Sequence, residues 1–155
     1  MQLYLLRHAD ADTIAPSVDE RFLSEKGMMQ AQRVALFCER HAIRPSVVLT
    51  SPLRRAHQTA ALVADKLGTE MRTVRWLSAG VMPETLLREV TEYRHLESCM
   101  LVGHEPDFSQ FAAFLIGAAH GESIRIRKAT LALFTILDFR PGGSRLEYSI
   151  PAKLL

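Results

Sequence analysis

Three short stretches of unbroken apolar residues constrain this chain most: "LYLL" at 3–6, "VVL" at 47–49 and "CMLV" at 99–102. Apolar residues at consecutive positions, in runs too short for a helix, belong to strands covered on both faces. That is how a parallel sheet between helical layers reads. Between these runs the period changes. Ser24 is placed to cap a helix through "EKGMMQAQRVALFCERH", with Met28, Ala31, Val34, Ala35 and Cys38 on one stripe and Gly27 and Met29 outside it. Arg44 and Pro45 break that pattern ahead of the second strand, "SVVLTS". Pro52 then opens a helix that Gly68 closes after Leu67. "MRTVRWL" alternates polar and apolar and predicts a third strand. Pro83 with "ETLLREVTEY" predicts a helix that turns Leu86, Leu87, Val90 and Tyr93 to the sheet, and Pro106 starts another that reaches Ile116. "ATLALFTILDF" and "SRLEYSI", separated by "RPGG", read as an antiparallel hairpin at one sheet edge. The fold expected is α/β: a three-layer α/β/α sandwich with a mostly parallel central sheet and an antiparallel C-terminal hairpin, in one domain over residues 1–155.

Composition narrows the function classes. With 48% hydrophobic residues in 155, the chain can bury a core, which argues against disorder. Nineteen Lys plus Arg against 17 Asp plus Glu leave a formal charge of +2, too little to make a nucleic-acid or membrane surface. Any anion binding must therefore be local. Cys38 and Cys99 lack metal-ligand spacing and read as buried apolar fillers in a reducing compartment, so no metal site is expected. The apolar run at 3–6 is too short for a signal-peptide core, and nothing approaches the roughly 18 apolar residues of a membrane span. A soluble, cytoplasmic protein is expected.

In open α/β sheets, ligands bind beyond the carboxyl ends of the strands. Three strands of this chain end in chemistry. The first ends in Arg7 and His8, the second in Ser51 and Pro52 followed by Arg54 and Arg55, and the run after Met100 ends in His104. Each alone has a bland reading, as a solvated histidine or a charged helix start. Crowded positive charge is costly, however, unless an anion sits there for part of the working cycle. Paired guanidinium donors clamp tetrahedral oxyanions, and a helix N-terminus adds backbone N–H groups and a favourable dipole. The ligand implied is phosphate, or sulfate in its place.

"LRHADA", "SPLRRAHQTA" and "VGHEP", in that order, resemble the histidine phosphatase superfamily, whose fold is phosphoglycerate mutase-like. The resemblance runs from Leu3 into the helix after His104, leaving only the final hairpin without a motif. It implies that His8 is the nucleophile, Arg7 and Arg55 the phosphate-binding arginines and His104 the second pocket histidine, with Arg54 at a variable position. Arg21, in "DERFLSEKG", falls in a segment resembling the family's loop before the first long helix. It has two readings, as a substrate-binding residue and as a surface one. No cofactor is implied. The phosphoryl group passes to a neutral His8 imidazole, and water hydrolyses the phosphoenzyme. Arg7, Arg55 and a protonated His104 would stabilise the transferring group, while the positive neighbours keep His8 unprotonated.

Two departures from the family pattern bear on substrate. Ala9 replaces the usual glycine after the histidine, a feature "RHADA" shares with the SixA-type phosphohistidine phosphatases. Relatives acting on phosphate monoesters carry a carboxylate acid in an insertion between the second and third motifs. Here "WLSAGVMPETLL" offers only Glu84, which like Glu105 reads more simply as a helix-start residue. An alkoxide leaving group needs a proton worth roughly 10²- to 10⁴-fold in rate, whereas a ring-protonated phosphohistidine departs as neutral imidazole without one. The resemblance thus implies a phosphohistidine-bearing protein, such as a phosphotransfer domain, as substrate. A small phosphate ester, with Glu84, Asp10 or Asp12 supplying protons, is the alternative. Arg125, Arg127 and Lys128 in "RIRKAT" decorate an exposed loop or edge strand, from which they can meet an acidic partner.

Overall fold

The computed structural model describes residues 1–15, 17 and 19–155. Its strands are β1 (Gln2–Arg7), β2 (Val47–Thr50), β3 (Met71–Thr73), β4 (Ser98–Gly103), β5 (Thr130–Ile136) and β6 (Ser144–Pro151). The helices are α1 (Glu25–Arg40), α2 (Arg54–Leu67), α3 (Pro83–Thr91) and α4 (Asp107–Ile116). One sheet holds all six strands in the order β3, β2, β4, β1, β5, β6. The first four run parallel, and β5 and β6 add an antiparallel edge.

The unbroken apolar runs are explained by what lies on either side of the sheet. Tyr4, Leu6, Val48, Met100 and Val102 pack toward α1 and α2, while Leu3, Leu5, Leu49 and Leu101 pack toward α3 and α4. Alternate side chains of one strand therefore enter two different cores, which is why apolar residues stand at consecutive positions. Cys38 and Cys99 fall on opposite sides of the sheet, both free and buried. Burial pushes their thiols up to about 12 and about 11, as expected of fillers.

Local signals account for most element ends. The Ser24 hydroxyl accepts the Gly27 N–H at the start of α1, and Gly68 adopts the left-handed conformation that ends α2. Two expectations need correction. β3 stops at Thr73, because its partner β2 ends at Thr50; Val74 makes one last bond to the Thr50 carbonyl and the chain curls into a 3₁₀ turn over Arg75–Leu77 that buries Leu77. Gly27, expected outside the buried stripe, is buried because the first turn of α1 abuts the Asp10 carbonyl; a Cβ there would overlap that oxygen.

No helix among the described residues is long and apolar enough to cross a membrane.

Candidate active site

Register brings the three polar strand ends level. Arg7 pairs with Gly103 across β1 and β4, His8 N–H donates to the Gly103 carbonyl, and Ser51 N–H donates to the Val102 carbonyl. His8, Ser51 and His104 thus follow three adjacent strands at the carboxyl end of the sheet, and all three are buried. Gly103 is required at this end. A Cβ on it would meet the Phe108 ring at 2.7 Å, so the chain can turn there only without a side chain.

α2 brings Arg55 to the same place, since its N-terminus follows β2 by a short Ser51–Leu53 link. Arg55 Nε–H donates to His8 Nε2 at 3.3 Å, and Arg55 Nη2 lies 3.4 Å from His104 Nδ1. A guanidinium only donates, so both facing ring nitrogens are unprotonated acceptors. The opposite nitrogens must then carry the protons. His8 Nδ1–H donates to the Ala9 carbonyl at 2.7 Å, and His104 Nε2–H donates to Ser51 Oγ at 2.8 Å. Both histidines therefore present a lone pair to one guanidinium, with their ring centroids 5.3 Å apart.

The electrostatics follow from this packing. His8 is lowered to about 4, first by burial and then by the charges of Arg55, Arg7 and Lys128, partly opposed by its bond to Ala9. The positive neighbours act in the direction expected of them, but loss of solvent comes first. His104 is lowered to about 3 by burial, His8, Arg55 and Arg7. The protonated form expected of it is thus disfavoured by burial and by the neighbouring charges. Arg7 donates Nη1–H to the Ile126 carbonyl at 3.2 Å, while its buried Nε–H has no partner among the described residues. Arg21 is half-buried, and its charge is felt at Arg55.

Residues around the four strand-end side chains tie the surrounding loops and helices together. Thr59, one helical turn after Arg55, accepts the Ala9 N–H at 3.1 Å and donates to the Arg55 carbonyl at 2.7 Å, tying the loop after His8 to α2. Gln58 accepts the Leu23 N–H at 2.8 Å, and one turn earlier the Arg54 guanidinium lies over the Phe22 ring at 4.7 Å. The spacing of four was the available signal, because such residues share a helix face. Asp10 is held by Lys128 at 2.6 Å and by the Ser24 hydroxyl at 2.7 Å, bonds that keep its carboxyl below the usual range. No local signal joins Asp10 to Lys128, which meet only in the fold.

Of the carboxylates expected as proton sources, Glu84 in the first turn of α3 and Asp12 are exposed, and Asp10 is engaged as above. Glu105 is half-buried, accepts from Ser109 N–H at 3.1 Å and Ser109 Oγ–H at 2.6 Å, and is raised chiefly by burial. Among the described residues, no three of His, Cys, Asp and Glu are grouped to hold a metal ion.

Comparison with known proteins agrees with the motifs. The profile of the histidine phosphatase superfamily (branch 1) matches residues 3–79. The structure of a SixA-type protein from Agrobacterium tumefaciens superposes with a TM-score of 0.83 at 25% identity, covering 96% of each chain. The protein histidine phosphatase SixA complexed with tungstate gives 0.89 at 21% identity over 99% of each chain. A phosphoserine phosphatase mutant from Entamoeba histolytica, bound to phosphoserine, gives 0.76 at 16% identity over 99% of this chain and 98% of its own.

Proposed function

This chain belongs to the histidine phosphatase superfamily, and from that premise we propose that it is a metal-independent phosphatase that releases phosphate from phosphohistidine on a protein. One observation carries the reading: His8 offers the Nε2 lone pair to a pocket in which Arg55 and His104 are already gathered. The Ala9 carbonyl holds the proton on Nδ1, which leaves Nε2, on the Arg55 side of the ring, as the nucleophilic nitrogen.

In the first step the His8 Nε2 lone pair attacks phosphorus and the substrate's P–N bond breaks. The electron pair leaves on the substrate imidazole, which departs neutral if its other nitrogen already carries a proton. In the second step water attacks phosphorus, the Nε2–P bond breaks, and phosphate leaves with the proton that water gives up. Arg55 and Arg7 bind the equatorial oxygens, where charge stabilisation is the main demand of phosphoryl transfer. The partnerless Nε–H of Arg7 supports an anionic ligand, because a buried donor left unmade is costly. A bound dianion would also draw a proton onto His104 Nδ1, turning a neutral acceptor into a donor toward the phosphoryl group.

A second reading, hydrolysis of small phosphate esters, has one observation in its favour. The Glu105 carboxyl, raised chiefly by burial, is close enough to Arg7 for the two charges to be felt by each other, and a carboxyl beside the pocket is what an alkoxide leaving group would need.

The deciding experiment measures phosphate release by wild type and His8→Ala, in chelator, from a histidine-phosphorylated phosphotransfer domain and from a panel of phosphate monoesters. Wild type should favour the protein, and His8→Ala should lose about 10³-fold or more on it. Substantial activity in His8→Ala refutes the nucleophile, and preference for one monoester moves the function to small molecules.

A further inference from the structure

Beside the pocket, a groove of about 420 Å³ is lined by Arg7, Lys26, Arg127, Lys128, Lys153 and Asp10, with Gln30, Pro151 and Ala152 completing its wall. Five cations face one carboxylate, and that carboxylate is already paired with Lys128. Lys26, Arg127 and Lys153 are exposed and make no ion pair among the described residues. For a chain whose formal charge is only +2, this is a concentration of charge on one face.

Stability does not explain the arrangement. Lys26 stands in the first turn of α1, where the helix dipole disfavours a cation. The segment carrying Arg127 and Lys128 is pinned around the end of β1. Ile126 is buried and accepts from Arg7, and Ala129, in the left-handed region at φ 52°, donates its N–H to the Arg7 and His8 carbonyls. With residues 126 and 129 fixed inward, the two cations between them are exposed, and the Lys128 charge is felt at His8 itself. Arg7 belongs to both places, so the groove is continuous with the catalytic pocket.

We infer that this groove is the docking surface for the acidic face of a protein substrate, receiving carboxylates that flank the phosphorylated histidine. The inference rests on the phosphohistidine reading above and adds to it the charge the partner must carry. Charge complementarity selects an acidic partner, and rim charges of this kind act mainly on encounter and orientation. A nucleic acid is the less fitting polyanion, since none of the described residues lining the groove is an aromatic on which bases stack.

The test neutralises the three exposed cations that touch no catalytic group, as Lys26→Gln, Arg127→Gln and Lys153→Gln in one chain. Turnover is read on a histidine-phosphorylated phosphotransfer domain and on p-nitrophenyl phosphate, each across a salt series. The expected result is a fall of about tenfold in kcat/KM on the protein, carried by KM, with a flatter salt dependence and p-nitrophenyl phosphate unchanged. An unchanged kcat/KM on the protein overturns the proposal, and so does an equal loss on both substrates, which would mean a general field effect on the pocket. Competition by a single-stranded oligonucleotide that the triple variant abolishes would assign the groove to nucleic acid instead. Failure of the wild type to act on the phosphorylated domain is a separate outcome: it refutes the substrate class itself, and the docking surface with it.

Discussion

At the residue scale, two buried histidines are kept neutral by their surroundings, and this has a consequence for stability as well as chemistry. His8 and His104 sit near 4 and 3 in the folded protein against an ordinary value of 6.5. As pH falls below 6.5 the unfolded chain takes up these protons while the folded chain does not. Stability contributed by the neutral rings is therefore present above 6.5 and is lost progressively as pH falls toward 4. Urea unfolding at about pH 7 and about pH 5 should show the wild type losing stability on acidification. The double variant His8→Gln, His104→Gln should lose less; an identical loss would show that carboxylates, not these rings, carry the effect. The motifs single out Arg7, His8, Arg55 and His104, and the fold brings these four together. The tautomers were not legible, because they depend on which nitrogen meets Arg55 and which meets Ala9 or Ser51.

At the scale of elements, the pocket depends on how helix starts meet strand ends. The first turn of α1 lies against the Asp10 carbonyl, Ser24 N–H donates to that same oxygen, and Gln30 accepts the Asp10 N–H at 2.9 Å. The loop after His8 is thus clamped between α1 and Thr59 of α2. Gly27→Ala tests the clamp, because alanine favours the helix by about 1 kcal/mol yet its Cβ would collide with backbone that has nowhere to go. Far-UV circular dichroism should be retained while kcat/KM drops roughly a hundredfold, the order expected for a small misplacement of reacting groups. Unchanged activity would mean that the loop position is immaterial. Helix patterning could not reveal this residue, since Gly27 is buried by a loop rather than by the sheet. The same limit applies to β3, whose alternation continues past Thr73 although its partner strand does not.

At the scale of the whole molecule, two apolar cores lie on opposite faces of one sheet. Met100 enters the α1 and α2 side, and the adjacent Leu101 enters the α3 and α4 side. Because neighbouring residues of β4 serve both, the two cores should unfold together. Met100→Ala and Leu101→Ala should each cost about 2–5 kcal/mol. Trp76, which packs on the Leu101 side, should report the same transition midpoint as circular dichroism in both variants. Separated midpoints in Met100→Ala would show that the two sides melt independently.

By itself the sequence determined the layers, the strand and helix order and the four residues of the strand-end cluster. Apolar period, proline and glycine punctuation and contiguous motifs are all written over a few neighbouring positions. The tertiary structure alone decided which nitrogen of each histidine holds its proton, that Asp10 answers Lys128, and that Lys26, Arg127 and Lys153 share one groove. Those facts join residues distant along the chain, and the physical reason they escape a sequence is that hydrogen-bond direction and local charge density are properties of three-dimensional proximity.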